Sequence, residues 1–171
     1  MNSAEKPLDA AGRLLFSSFF DPDQWMRNSY ELHPVSGEGA DRLAPSNIRV
    51  RVRELYRSFV LGNYLAAIAL TRAILEYAIV DNAARLDINP DFTDQSGQMR
   101  TRRLRELVED LSTRLPILRL PMETIIEAGN RTLHPKQKDR LVLLPDSLRD
   151  LALDTINAAR EVVEQLYLRR E

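Results

Sequence analysis

The chain has 171 residues, a formal net charge of −1 and no cysteine. The lack of cysteine excludes disulfide bonds, thiolate metal sites and a cysteine nucleophile. Because the charge is close to zero, the chain as a whole has no attraction to nucleic acid or to anionic membranes, so binding to either would need a local patch.

Residues 1–45 differ from the rest of the chain, since they contain four prolines and three glycines and have no sustained apolar period. We predict an irregular N-terminal arm here, in which a short amphipathic helix covers Leu8 to Phe20 and a loop covers His33 to Pro45. Large apolar side chains would anchor this arm: Phe16, Phe19, Phe20, Trp25 and Met26.

From residue 46 to residue 171 the apolar residues follow a helical period, and we predict one helical unit over this range. The first helix begins at Ser46 and ends at Gly62, and it has a stripe of four apolar residues: Ile48, Val52, Leu55 and Phe59. The second helix runs from about Tyr64 to Leu86. It is apolar nearly all round up to Val80, which is typical of a helix in the middle of a bundle.

The third and fourth helices follow a turn-rich loop at residues 87–98. The third ends before Pro116 and has apolar residues at helical spacing: Leu104, Leu107, Val108, Leu111 and Leu115. The fourth runs from Pro121, which suits a first helical position, to His134. Glu123 in its first turn places a negative charge where it interacts favourably with the helix dipole.

A fifth helix starts after Pro145, where Ser147 and Asp150 form a capping box, and it continues to about Arg169. Its apolar seam alternates spacings of four and three residues: Leu148, Ala152, Thr155, Ala159, Val162 and Leu166. No long stretch after residue 45 alternates with period two. The sequence therefore predicts an all-α fold, a bundle of four to five helices.

The longest apolar stretch, Tyr64 to Val80, has 17 residues, among them Thr71, Arg72 and Glu76. It is too short and too polar for a membrane span. We therefore expect a cytoplasmic protein without membrane association.

Two charged residues, Arg72 and Glu76, stand on an apolar face of the second helix, four residues apart. Charges on such a face are costly to desolvate, so they are expected to be paired or to line a cleft. One interpretation is an ion pair that fixes the helix register. The other is a charged wall of a binding site.

The fourth helix carries Gly129 in the middle of its apolar stripe, which consists of Met122, Ile125, Ile126, Gly129 and Leu133. Glycine in a helix costs about 1 kcal/mol relative to alanine, and close approach to a neighbour is a common reason for it. We predict tight packing on the second helix. A polar stripe beside it could converge on one groove: Glu123, Glu127, Asn130 and His134. Alternatively, His134 caps the helix end.

Several short motifs in these two helices resemble a bacterial domain-of-unknown-function family grouped with the HEPN (higher eukaryotes and prokaryotes nucleotide-binding) superfamily. The second helix opens with Gly62-Asn63-Tyr64-Leu65-Ala66-Ala67 and carries Thr71-Arg72-Ala73-Ile74-Leu75-Glu76. The fourth helix carries Ala128-Gly129-Asn130 and ends with Leu133-His134-Pro135. The resemblance covers residues 47–168.

The resemblance implies a HEPN-like bundle of four or five helices, commonly a homodimer, with roles in prokaryotic defence and possible partner proteins there. Catalytic members are metal-independent ribonucleases with an arginine, a following polar residue and a histidine four to six residues beyond the arginine. Asn130 and His134 match the last two elements. The arginine is missing, because Glu127, Ala128 and Gly129 stand at its place and Arg131 is too close to His134.

Arg72 could supply the guanidinium from the second helix, since its charge and geometry matter more than its place in the chain. The implied chemistry is cleavage by the 2′-hydroxyl of RNA, with His134 as general base or acid and Asn130 orienting the phosphate. Glu127 would repel phosphate, which favours a degenerate, binding-only site. The alternative function is a dimeric adaptor bundle with Arg72, Glu76, Asn130 and His134 in an internal polar network.

Four arginines stand at the start of the third helix, where cations oppose the helix dipole: Arg100, Arg102, Arg103 and Arg105. They could form a phosphate-binding patch, extended by arginines of the first helix at positions 49, 51, 53 and 57. Alternatively, this is a solvated face with Arg102–Glu106 and Arg105–Glu109 pairs. With two histidines and no Glu-x-x-His pair, we expect no metal and no cofactor.

Overall fold

Helices make up most of the described part of the chain, which in this computed structural model is residues 21–33, 35, 46–133 and 144–168. The helices are α1 (Pro22–Glu31), α2 (Ser46–Val60), α3 (Tyr64–Asn82), α4 (Leu104–Arg114), α5 (Arg119–Leu133) and α6 (Pro145–Val163). A short antiparallel hairpin, β1 (Asp91–Thr93) and β2 (Met99–Thr101), separates α3 from α4. A 3₁₀ turn, Pro116–Leu118, leads into α5, and a π-helical segment, Glu164–Leu168, extends α6.

Helix α3 lies at the centre of the bundle and packs against α2, α4, α5 and α6. This confirms the central position that its apolar composition predicts. The predicted stripe of α2 and the predicted seam of α6 are buried along their whole length. These stripes pack on α3 because burial of the apolar face of each helix is favourable. The all-α prediction is correct, apart from the small hairpin.

The part of the predicted irregular arm that the structure describes contains helix α1. The Asp21 carboxylate caps it by accepting hydrogen bonds from the backbone N–H groups of Asp23 (3.0 Å) and Gln24 (3.2 Å), and Pro22 begins it. Trp25 and Met26 are 39% and 44% exposed, so their predicted role as anchors is wrong. The predicted helix from Leu8 to Phe20 lies outside the described residues.

Polar side chains hold α1 against the bundle. The Asn28 side chain is fully buried; its Nδ2 donates to the Phe59 carbonyl (2.9 Å) and the Tyr64 hydroxyl (3.1 Å), and its Oδ1 accepts from Arg149 Nε (2.9 Å). Arg149 Nη2 also donates to Glu31 at 2.6 Å. Burial is the largest single effect on Arg149 and disfavours its charge, but Glu31, Tyr64 and Asp150 together outweigh burial and raise the pKa of Arg149.

Two helices begin earlier than predicted. The 3₁₀ turn runs directly into α5, which starts at Arg119, so Glu123 lies beyond the first turn and pairs with Arg119 at 3.0 Å. Pro121 is tolerated inside the first turn because N–H groups there have no helical acceptor. Helix α6 starts at Pro145 itself without a side-chain cap, so the capping box of Ser147 and Asp150 is wrong.

No sequence pattern predicts the hairpin, because strands of three residues are too short to set up a period of two. Its turn is held by the Asp94 carboxylate, which accepts from the Ser96 hydroxyl (2.6 Å), the Ser96 N–H (2.9 Å) and the Gln98 N–H (3.0 Å). The Ser96 hydroxyl is the largest cause of the lowered pKa of Asp94. The hairpin is thus a local structure built on one ionised side chain.

The polar docking of α1 makes Asn28 a sensitive position. We expect Asn28→Ala to lower the free energy of unfolding by about 1–3 kcal/mol, because Arg149 Nε loses its acceptor and the Phe59 carbonyl loses its donor. Urea unfolding followed by circular dichroism measures this difference. Asn47→Ala, at an exposed position of α2, is the matched control and should change stability little. Equal effects of the two variants would contradict the docking role.

Candidate functional site

Arg72 of α3 and Asn130 of α5 meet at the surface of the bundle. Arg72 Nη1 donates a hydrogen bond to Asn130 Oδ1 at 2.8 Å. The two residues are 58 positions apart in the chain, so tertiary packing alone brings them together. Arg72 is half-buried and Asn130 is exposed, and the contact is open to water.

Gly129 makes room for this contact. A Cβ atom at residue 129 would lie 3.2 Å from Arg72 Cδ, tighter than ordinary van der Waals contact, and 3.5 Å from Arg72 Nη1. The predicted tight packing of this helix on α3 is therefore confirmed. The neighbour that glycine admits is a side chain, the stem of Arg72, rather than the backbone of α3.

The hydrogen bond sets the orientation of the Asn130 amide. A guanidinium has only donors, so the amide oxygen must face Arg72 and the amide nitrogen turns away with two free donor hydrogens. Within the described residues Arg72 makes this one hydrogen bond, which leaves further N–H groups available. Together the two side chains present donors to an incoming group, an arrangement that suits an anion such as phosphate.

The acidic residues near this contact remain exposed. Arg72 and Glu76 do not form the predicted ion pair, since among the described residues no carboxylate lies within 4.0 Å of Arg72. Arg72 turns to Asn130 instead because Gly129 opens space in that direction. Glu127, one turn before Asn130, is also exposed. Both carboxylates lower the local positive potential that an anion would feel.

The buried face of α5 is rotated relative to the predicted stripe. Leu133 is 45% exposed, whereas Ala128 and Thr132 are buried. Glu123, Glu127 and Asn130 converge, as predicted, on one groove of about 860 Å³ between α4 and α5. The α4 wall contributes Arg105 and Glu109, which the sequence predicts as an ion pair, and Ser112 and Thr113, which no sequence pattern indicates. His134, the last member of the polar stripe, lies outside the described residues.

Most of the charge in the α4–α5 groove is locally paired. Arg105 lies 3.9 Å from Glu109, and Arg119 lies 3.0 Å from Glu123. Glu127 adds a further negative charge without an ion pair among the described residues. The groove itself is therefore net negative, and the donors of Arg72 and Asn130 lie at its α3 side.

The predicted arginine patch is largely neutralised by neighbouring acids. Arg100 lies on β2, not at the start of the helix, and pairs with Asp94 at 2.5 Å. Arg102 precedes α4 and donates to Asp110 at 2.6 Å, which raises the pKa of Arg102. These contacts were missed because the hairpin that positions them was missed. Arg103 is exposed at the residue before α4.

The proposed pairs within α4 and its approach are confirmed: Arg102–Glu106 at 3.5 Å and Arg105–Glu109 at 3.9 Å. The arginines of α2 also have local partners. Arg51 lies over the Tyr77 ring, 4.5 Å from its centre, and Arg57 pairs with Glu54 at 3.1 Å. These distances favour a solvated face over a continuous phosphate-binding patch.

Three further observations bear on function. Arg131 occupies an exposed position of α5 next to Asn130. Within the part of the chain that the structure describes, no three acidic, histidine or cysteine side chains gather as metal ligands. None of the described helices combines the length and apolar character needed to cross a bilayer.

Comparisons of this chain with protein-family models, curated proteins and solved structures find no match. Its class therefore rests on its own architecture, a helical bundle around an apolar central helix. What distinguishes this bundle is the surface contact between an arginine of the central helix and an asparagine of its neighbour, made possible by a glycine.

The role of Gly129 can be tested with a double-mutant cycle. In an Arg72→Ala background, we expect Gly129→Ala to stabilise the protein by about 1 kcal/mol, the ordinary gain in a helix. In the natural background the gain should shrink or reverse, because the new methyl group crowds the Arg72 stem. Urea unfolding of the natural protein, the two single variants and the double variant gives the coupling free energy between residues 72 and 129. Equal effects in both backgrounds would refute the assigned role.

Proposed function

We propose that this chain is a HEPN-like helical module that binds RNA, with Arg72 and Asn130 at the centre of a degenerate ribonuclease site. The observation that carries the proposal is the 2.8 Å contact between these side chains at an open surface. In the HEPN motif the arginine lies on the same helix as the polar residue, here Asn130. The contact supports the idea that Arg72 supplies this guanidinium from α3 instead. His134 follows Asn130 by four residues and is the third residue of the proposed site.

The donors of Arg72 and Asn130 would hold the phosphate group. A guanidinium offers a planar fork of N–H groups that fits two phosphate oxygens, and the Asn130 amide nitrogen adds a neutral donor. For cleavage, His134 would take the proton of the 2′-hydroxyl, whose oxygen then attacks phosphorus. The 5′-oxygen would leave with a proton from a general acid.

The neighbouring charges favour binding over cleavage. Glu76 and Glu127 are exposed within about one helical turn of Arg72 and Asn130, so they oppose the negative charge that grows in the phosphorane. A site with one guanidinium among carboxylates can retain a phosphate contact while stabilising the transition state poorly. We therefore assign RNA binding as the function. A role in prokaryotic defence, with a partner protein, follows from the resemblance.

The RNA-binding function predicts a weak, salt-dependent interaction with single-stranded RNA. We expect Arg72→Ala to weaken binding by about tenfold or more, since a charge-assisted hydrogen bond contributes roughly 1.5–3 kcal/mol. Arg103→Ala removes an exposed arginine outside the site and should change affinity little. Fluorescence anisotropy with a labelled oligonucleotide at low salt measures the RNA affinity of both variants.

Two more variants sharpen this test. Glu127→Gln removes a repelling charge and should tighten RNA binding, and His134→Ala should alter binding without lowering the melting temperature. Absence of RNA binding by the natural protein at low salt would refute the proposal. Cleavage of the oligonucleotide that depends on His134 would refute the assignment as a binding-only site.

A second candidate function, a homodimeric adaptor, is favoured by the open side of α3. This helix is apolar nearly all round, yet Leu65 and Val80 are 48% and 41% exposed and Ala73 is exposed between them. Arg72 and Glu76 lie one turn apart on the same helix. In a dimer, the α3 helices of two copies could cross antiparallel at a point between Arg72 and Glu76. Arg72 of each copy would then face Glu76 of the other, which is a self-complementary arrangement.

The dimer predicts a clear response to a charge at its centre. Ala73→Glu should convert a dimer into a monomer, because a carboxylate would be buried without a partner. Light scattering coupled to size-exclusion chromatography measures the mass. Ala84→Glu, at an exposed alanine beyond α3, is the matched control and should leave the mass unchanged. A natural protein that is monomeric at all accessible concentrations would eliminate this candidate.

A further inference from the structure

A second groove of about 690 Å³ lies between the first half of α5 and the second half of α6. One wall is formed by Ile117, Leu120 and Thr124, and the other by Asp154, Ala158 and Glu161. Leu120 lies ten residues before Asn130, which is about 15 Å along the helix axis. This groove is therefore separate from the contact of Arg72 with Asn130.

The first wall exposes two large apolar side chains. Ile117 is 64% exposed and Leu120 is 72% exposed, whereas their neighbours Leu118 and Met122 are almost completely buried. Single exposed leucines are common on protein surfaces. Side by side at a concave surface, these two give the apolar side chains of a ligand a place to pack.

The second wall is acidic. Asp154, Glu161 and Glu164 line the groove together with one basic residue, Arg160, so three negative charges face one positive charge. Arg160 Nη1 donates to the His33 carbonyl at 3.5 Å, and its buried Nε, 3.9 Å from Glu164, has no hydrogen-bond partner among the described residues. Asp154 and Glu161 are exposed and make no ion pair among the described residues. Their charges remain available to a cationic group.

An unused hydrogen-bond acceptor lies in the same wall. Asn157 Oδ1 is sealed from water and has no hydrogen-bond partner among the described residues. A buried acceptor without a donor is unfavourable, and native proteins rarely retain one without a reason. Rotation of the Asn157 amide toward the groove would let a donor from a bound group satisfy this oxygen.

We propose that this groove binds a short amphipathic segment of a partner protein that carries apolar side chains and lysine or arginine. The apolar side chains would pack on Ile117 and Leu120, and the cations would face Asp154 and Glu161. A helix lying in a groove between two helices is a common form of such recognition. The acidic wall disfavours RNA as the occupant, so the inference goes beyond the proposed RNA-binding function.

The test uses a labelled synthetic helical peptide of leucine and lysine, with leucines at i, i+3, i+4 and i+7, and a second peptide with glutamate in place of lysine. Fluorescence anisotropy measures the affinity of the full chain for each peptide. We expect saturable binding of the lysine peptide, at least tenfold tighter than binding of the glutamate peptide. Leu120→Ala should weaken it several-fold, and Asp154→Lys combined with Glu161→Lys should reverse the preference between the peptides.

Glu127→Lys is the matched control, because it makes the same charge change on α5 but in the other groove. It should leave the affinity for the lysine peptide within about twofold of the natural protein, a free-energy change of roughly 0.4 kcal/mol. The proposal is overturned if both peptides bind alike, or if Glu127→Lys weakens binding as much as the α6 double variant. Displacement of the peptide by RNA would also overturn it, as would a change in oligomeric state on Leu120→Ala. Circular dichroism verifies that each variant is folded.

Discussion

At Gly129, helix α5 packs on the central helix beside the stem of Arg72. A methyl group at this position would lie 3.2 Å from Arg72 Cδ and require a small shift, so glycine lets the guanidinium reach Asn130 without crowding. Glycine weakens a helix, and this cost is offset by burial of the faces of α3 and α5 against each other. The same packing that completes the core thus places a cation beside an amide at the surface.

Polar contacts, rather than apolar ones, decide how the peripheral parts attach to this core. Asn28 is buried among donors and acceptors of α2, α3 and α6, and each of its hydrogen bonds requires α1 in one position. The hairpin is held in the same way, by Asp94 within its turn and by Arg102 at its base. Buried polar groups are unfavourable without hydrogen-bond partners. They therefore determine the position of α1 and of the hairpin, which bury little apolar surface against the core.

Helix α5 separates two surfaces of opposite chemistry. Near its C-terminal end, Asn130 and Arg72 present donors that suit an anion, and near its N-terminal end the groove shared with α6 presents carboxylates beside exposed Ile117 and Leu120. An anionic and a cationic ligand could therefore occupy one molecule without competing. A module that contacts RNA at one end and a partner protein at the other is consistent with this arrangement.

The sequence by itself determined most of the core, because an apolar residue that recurs with the helical period lies on one face, and that face is buried when the helices pack. It also indicated that Gly129 marks a close approach and that Glu123, Glu127 and Asn130 share a groove. Only the tertiary structure decided that Arg72 bonds Asn130 rather than Glu76, that Leu133 faces outward, and that Asp110 and Asp94 neutralise Arg102 and Arg100. These outcomes depend on small rotations of helices about their axes and on a hairpin too short to leave a period. No local sequence pattern predicts these contacts, because they depend on the distances between segments that come together only when the chain folds.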